Sequence, residues 1–123
     1  MDDIFYCTGN KITLNDIKEL AEQVNVKRTF ITQSLDALEI EYLNGIYTQW
    51  IQMDMDDIES VDRKDLMDNN ISIIFCISHH PKQVKFILPH LNKVLQTYGG
   101  WIGSDSGGFH PRINAHNIHK LLD

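Results

Sequence analysis

The sequence predicts an α+β fold in a single domain over residues 1–123, and three of its stretches carry that prediction. The first is Ile71-Ser72-Ile73-Ile74-Phe75-Cys76-Ile77, a short β-branched apolar run bounded by Asn69-Asn70 and by Ser78-His79-His80-Pro81. Its length and flanks read as a buried strand. The second is Asn44-Gly45 between two alternating runs, the strongest short-range signal for a β-hairpin. The third is Thr13, followed three residues later by Asp16 and bracketed by Ile12 and Ile17, which has the spacing of a helix N-cap with its hydrophobic staple. Together they predict two N-terminal helices, a hairpin, a central strand–helix–strand unit and a short C-terminal helix.

Taken in order, Ile4-Phe5-Tyr6-Cys7 reads as a strand and Gly9-Asn10 as a turn. Ile17, Leu20, Ala21 and Val24 continue one apolar face, so the first helix is expected over residues 14–25. Val26, Phe30, Ile31, Leu35 and Leu38 suggest a second helix over residues 26–38. A two-residue Asn44-Gly45 turn would then pair Tyr42 with Tyr47 and Leu38 with Ile51 on one face of the hairpin. It would pair Glu41 with Thr48 and Glu39 with Trp50 on the other. Residues 54–70 show little periodicity and read as an acidic surface loop, with one helical turn near Val61 to Met67. Beyond the central strand, Pro81 suits the first turn of a helix. Val84, Leu88, Leu91, Leu95 and Tyr98 recur at steps of four and three, the stripe of an amphipathic helix. Gly99-Gly100 ends it, Trp101-Ile102 is the returning strand, and residues 103–108 form a Gly-rich loop. Ile113 and Ile118 form a staple around Asn114, opening a last helix over residues 115–122.

Composition bounds the function more than it names it. Hydrophobic residues make up 42% and charged residues 23% of the 123, an ordinary globular balance that needs no disulfide or metal to form a core. No run of about 18 apolar residues offers a membrane span. Met1-Asp2-Asp3 lacks the basic start of a signal peptide, and Cys7 and Cys76 sit inside apolar runs. The expectation is a cytoplasmic protein with reduced cysteines. Net charge is −6, unevenly spread: residues 1–70 hold 15 acids against 6 Lys and Arg, residues 71–123 hold 2 against 5, and all six histidines lie in the latter part. Such an acidic first part repels nucleic acid and anionic membranes and attracts basic proteins.

Motifs that would carry chemistry are incomplete. Asp105-Ser106-Gly107-Gly108 matches the string around a trypsin-like nucleophile. A serine nucleophile needs a histidine base and its aspartate in a two-barrel frame, for which this chain is too short. His116 and His119 are spaced i, i+3, and His79, His80 and His110 complete the candidates for a metal. No HExxH is present, and neither cysteine has a partner at ligand spacing. The Gly-rich loop lacks the Gly-Lys-Ser/Thr of a phosphate loop. No catalytic residue, metal or other cofactor is therefore assigned. Ala21, Asn25 and Ile31 have helix-turn-helix spacing, with the hairpin in the place of a wing. Asp36, Glu39 and Glu41 would oppose DNA phosphates there.

The densest charge lies at Asp54, Asp56, Asp57, Glu59, Asp62, Asp65 and Asp68, interleaved with Met53, Met55, Ile58 and Val61. An aromatic ringed by acids is a frequent form of interface hot spot. In the predicted hairpin, Trp50 shares a face with Glu39 and Glu41. Trp50, Asp54, Asp56, Asp57, Glu59, Asp62 and Asp65 are thus the candidate partner-binding residues, and the alternative set is Asp105, Phe109, His110 and Arg112 in the Gly-rich segment and after it.

Tyr98-Gly99-Gly100-Trp101-Ile102-Gly103, then Gly108-Phe109-His110-Pro111-Arg112, then Asn117-Ile118, resembles the closing segment of small bacterial immunity proteins of contact-dependent inhibition and other polymorphic toxin systems. The resemblance covers roughly residues 71–119. It implies a cytoplasmic protein that is not an enzyme and that binds and neutralises a cognate toxin domain. Nuclease toxins carry basic active sites, which an acidic inhibitor complements. The rival readings are a DNA-binding helix-turn-helix-like regulator and a small metal-dependent or serine hydrolase.

Overall fold

Six antiparallel strands form one sheet in the order β2-β3-β4-β5-β1-β6. They are β1 (Asp2–Thr8), β2 (Val26–Thr32), β3 (Ala37–Tyr42), β4 (Tyr47–Gln52), β5 (Ile73–His79) and β6 (Trp101–Ser104). The helices are α1 (Leu14–Ala21), α2 (Ser60–Asp68) and α3 (Val84–Tyr98). This computed structural model describes every residue except 1, 25, 35, 81–83, 105, 106 and 123. The α+β class is as the sequence predicts. Among the described residues no helix is long and apolar enough to cross a membrane.

α1 and α3 pack side by side on one face of the sheet. α1 starts where the sequence places it: Thr13 Oγ1 accepts from the Asp16 amide, and the Asp16 carboxylate accepts from the Thr13 amide. Ile12 and Ile17 are both buried, completing the staple. The helix ends at Ala21, a turn earlier than expected. Leu14, Ile17 and Leu20 from α1 meet Ile87, Leu91, Val94 and Leu95 from α3 over Leu38, Ile40, Trp50, Phe75, Ile77, Tyr6 and Ile102 of the sheet. Gly99 and Gly100 end α3 at φ +72° and +84°, the left-handed conformation that glycine adopts without strain. A Cβ on Gly100 would also run into the Cys7 carbonyl. Pro81, expected in the first turn of α3, lies outside the described residues.

The central unit differs from a simple strand–helix–strand hairpin. β5 and β6 both pair antiparallel with β1, which lies between them. They are therefore parallel to each other, and α3 crosses over an inserted strand. The two bonds of the Ile102–Ile113 bridge bring the chain back along the outer edge of β6. The C-terminal helix is reduced to a 3₁₀ turn over Ile118–Leu122, with Ile118 and Leu121 packed on the main core. Cys7 is buried in β1 and Cys76 half-buried in β5, with no disulfide between them.

Two corrections change the hairpin. Residues 26–38 do not form a helix: Val26–Thr32 is the edge strand β2, and the chain turns into β3 at Asp36 with φ +49°. The β-branched and aromatic content of Val26, Thr29, Phe30, Ile31 and Thr32 is the local signal for that strand. The β3–β4 turn is also longer than two residues. Leu43–Gly45 forms a 3₁₀ turn closed by Tyr42 N–H donating to the Ile46 carbonyl at 2.6 Å. The pairing is then Leu38 with Trp50, Glu39 with Gln49, Ile40 with Thr48 and Glu41 with Tyr47. A shift of one residue moves every side chain of a strand to the other face. Trp50 consequently leaves the face of Glu39 and Glu41 and enters the core.

The other face of the sheet is covered at one end only. α2, which replaces most of the expected acidic loop, packs Leu66 with Ile58, Ile71, Ile74, Phe5 and Cys7, while Phe109, Trp101, Met53 and Met55 close around them. This second core sits over β1, β5 and β6. Among the described residues the same face carries no helix over β2, β3 and β4, which leaves Phe30 44% and Ile51 37% exposed.

Candidate partner-binding face

The acidic segment stands at the end of β4. Asp54 caps a 3₁₀ turn over Met55–Asp57 through the Asp56 amide. Asp54, Asp56, Asp57 and Glu59 are exposed, whereas Ile58 turns inward against the second core. Arg63 reaches Asp56 at 3.6 Å; exposed pairs of this kind contribute at most about 1 kcal/mol. The segment therefore offers a row of carboxylates held on a buried anchor, close to the expected arrangement except at three positions.

The first is Trp50. It is 0% exposed, and its indole N–H donates to Thr48 Oγ1 at 3.3 Å. Trp50 is a core residue and no part of a docking face. The second is Asp62, half-buried on α2. The third is Asp65, whose carboxylate pairs with Arg112.

The alternative set is similarly divided. The Arg112 guanidinium lies 4.4 Å from the centre of the Trp101 ring and donates to the Gly108 carbonyl at 3.2 Å. Together with the Asp65 pair, these contacts lash the C-terminal segment to α2. Phe109 packs against Phe5 with ring centres 5.1 Å apart. Arg112 and Phe109 thus hold the second core together, leaving His110 exposed and Asp105 outside the described residues. Ser106 is outside them too, so the Asp105-Ser106-Gly107-Gly108 motif is not described as a whole.

The remaining motifs separate in space or change class. With residues 26–32 in a strand, the helix-turn-helix geometry has no recognition helix. Among the described residues no three His, Cys, Asp or Glu side chains are placed to hold a metal ion. His90, not singled out from the sequence, is fully buried. Its Nδ1 accepts from the Tyr42 hydroxyl at 2.7 Å and its Nε2 donates to the Ile17 carbonyl at 3.1 Å. Thr48 Oγ1 donates in turn to the Tyr42 oxygen. Burial lowers the His90 pKa to about 4 and raises that of Tyr42. This chain of bonds runs from Trp50 through Thr48, Tyr42 and His90 to α1, with each donor committed. It joins the sheet to both helices above it.

The hairpin face of Glu39 and Glu41, expected to carry Trp50, carries Phe30, Tyr47 and Ile51 instead. Cross-strand register places Phe30, Glu39, Gln49, Ser78 and Asp3 in one row across five strands. Arg28, Glu41 and Tyr47 lie on one side of that row; Thr32, Ala37, Ile51 and Cys76 lie on the other. Glu39 accepts from Thr32 Oγ1 at 3.1 Å and from the Tyr47 hydroxyl. Burial, then the bond to Glu39, raises the Tyr47 pKa to about 12. Glu41 is instead met by Arg28 at 2.8 Å and Lys27 at 3.5 Å. Asp36 and Asp54 line one shallow depression of about 480 Å³ beside Gln52 and Met53, so the acidic segment continues into the rim of this face. The alternation of Glu39 and Glu41 with Leu38, Ile40 and Tyr42 was the available signal for it.

No family model, curated protein or solved structure matches the chain.

Proposed function

We propose that this chain is an immunity protein, which binds a basic toxin domain stoichiometrically and performs no reaction of its own. The observation that carries the proposal is the display of Asp54, Asp56, Asp57 and Glu59 as an exposed row on a segment anchored by Ile58. Charges presented in this way act at a distance, drawing in a partner of opposite field before contact. The resemblance of the closing segment to immunity proteins supplies the class of partner, and the net charge of −6 suits a nuclease-type toxin with a basic active site. The proposed setting is the cytoplasm.

The test is coexpression and copurification with the polypeptide encoded by the neighbouring gene. Relief of that polypeptide's toxicity and a one-to-one complex on gel filtration are the expected results. A mobility shift with DNA at micromolar concentration or tighter in about 150 mM salt would replace this reading with a DNA-binding regulator.

A further inference from the structure

We infer that the bare face of β2, β3 and β4 is the docking surface for the basic partner, with Glu39 receiving one of its arginine or lysine side chains. The inference rests on the function proposed above and assigns its site, for which the acidic segment serves as the rim.

Three observations lead to it. The sheet face is two-layered over β1, β5 and β6, but among the described residues no helix lies over β2–β4, where Ala37 is buried and Phe30 and Ile51 stand 44% and 37% exposed. Singly exposed apolar residues are ordinary; here both occupy the one sheet face that α2 leaves bare. Next, Glu39 lies near the middle of that face and its hydrogen bonds come from two neutral hydroxyls, of Thr32 and Tyr47. Those bonds orient the carboxylate, and among the described residues no Lys or Arg pairs with it. Glu41, two residues along the strand, is matched by Lys27 and Arg28, so the difference is local. Finally, Phe30 and Tyr47 come from the strands on either side of Glu39. A carboxylate beside aromatic side chains suits a guanidinium, which combines a charge-assisted bond with ring contact.

Charge also selects the occupant. A second copy placed face to face would set Glu39 and Asp3 against like charges; Glu41 offsets one of the two cations Lys27 and Arg28, so with Glu39 and Asp3 the face keeps a net negative balance. Nucleic acids and anionic lipid would meet the same repulsion. A basic protein meets complementary charge at Glu39 and, at the rim, at Asp36 and Asp54.

The experiment titrates the neighbour-encoded polypeptide onto the full chain in about 150 mM salt, comparing wild type with Glu39→Gln and Phe30→Ala. Both positions lie outside the two cores, so thermal melting should stay close to wild type. The expected result is a loss of roughly 30-fold or more in affinity for each variant, mainly through faster dissociation. Should Glu39→Gln disturb the hairpin, Phe30→Ala still decides the matter. Wild-type affinity in the folded variants would overturn this site and leave the immunity reading intact. No binding by the wild type would overturn both. A concentration-dependent dimer abolished by Phe30→Ala would give the face to a second copy and overturn the inference.

Discussion

The Tyr42 hydroxyl donates to Nδ1 of His90 across 2.7 Å, joining the end of β3 to the middle of α3. The same ring donates through Nε2 to the Ile17 carbonyl on α1. One imidazole therefore ties three elements, and it does so only while neutral, because protonated Nδ1 would confront a hydroxyl that has lost its acceptor.

That bond makes stability depend on pH. The folded-state pKa of His90, about 4, is below the ordinary 6.5. Between these values the unfolded chain binds a proton that the folded chain refuses. Stability is therefore undiminished above about pH 6.5, falls as the pH is lowered towards 4, and levels off below that for this group. The full loss is on the order of 3 kcal/mol. Urea denaturation from pH 7.5 to 4.5 should show this decline, and His90→Leu should flatten it.

Trp50 should behave as a core residue. Trp50→Ala is expected to cost about 3–5 kcal/mol of stability, measured by chemical denaturation. In whatever fraction remains folded, partner dissociation should be little changed. A folded Trp50→Phe variant with wild-type stability and much faster dissociation would contradict the buried assignment.

Arg112 should matter for the second core rather than for encounter. Arg112→Ala removes the Asp65 pair and the contact with the Trp101 ring and is expected to lower stability by about 1–3 kcal/mol. Arg112→Lys should recover only part of it, since an ammonium cannot reproduce the planar stacking. Faster amide exchange in α2 of both variants would locate the effect.

The acidic row should act on the association rate. Replacing Asp54, Asp56, Asp57 and Glu59 by Asn or Gln is expected to slow association with a basic partner by roughly tenfold or more at low salt and to flatten its salt dependence. Dissociation should change little. Stopped-flow mixing over a range of ionic strength reads both.

Local signals in the sequence were sufficient for the elements whose stability is local. Thr13 and Asp16 form their reciprocal cap with neighbours three residues away. Gly99 and Gly100 stop α3 through their own backbone freedom. The run from Ile73 to Ile77 is apolar enough to be a buried strand on any plausible topology. The display of Asp54, Asp56, Asp57 and Glu59 was legible too, because a run that acidic has nowhere to go but the surface. Tertiary structure decided the rest. Residues 26–32 fit a helical period, yet as a strand they pair with β3 from Arg28 to Thr32 and again at Val26, across a bulge, and those hydrogen bonds outweigh a modest helix preference. The split of β5 and β6 around β1 depends on partners some 70 and 100 residues away in sequence. The hairpin turn took one residue more than Asn44-Gly45 requires, because only that register puts Tyr42, Thr48 and Trp50 beneath His90. That single residue sent Trp50 inward and left Phe30, Glu39 and Tyr47 together on the open face, a division that burial across the whole sheet determines and no local pattern contains.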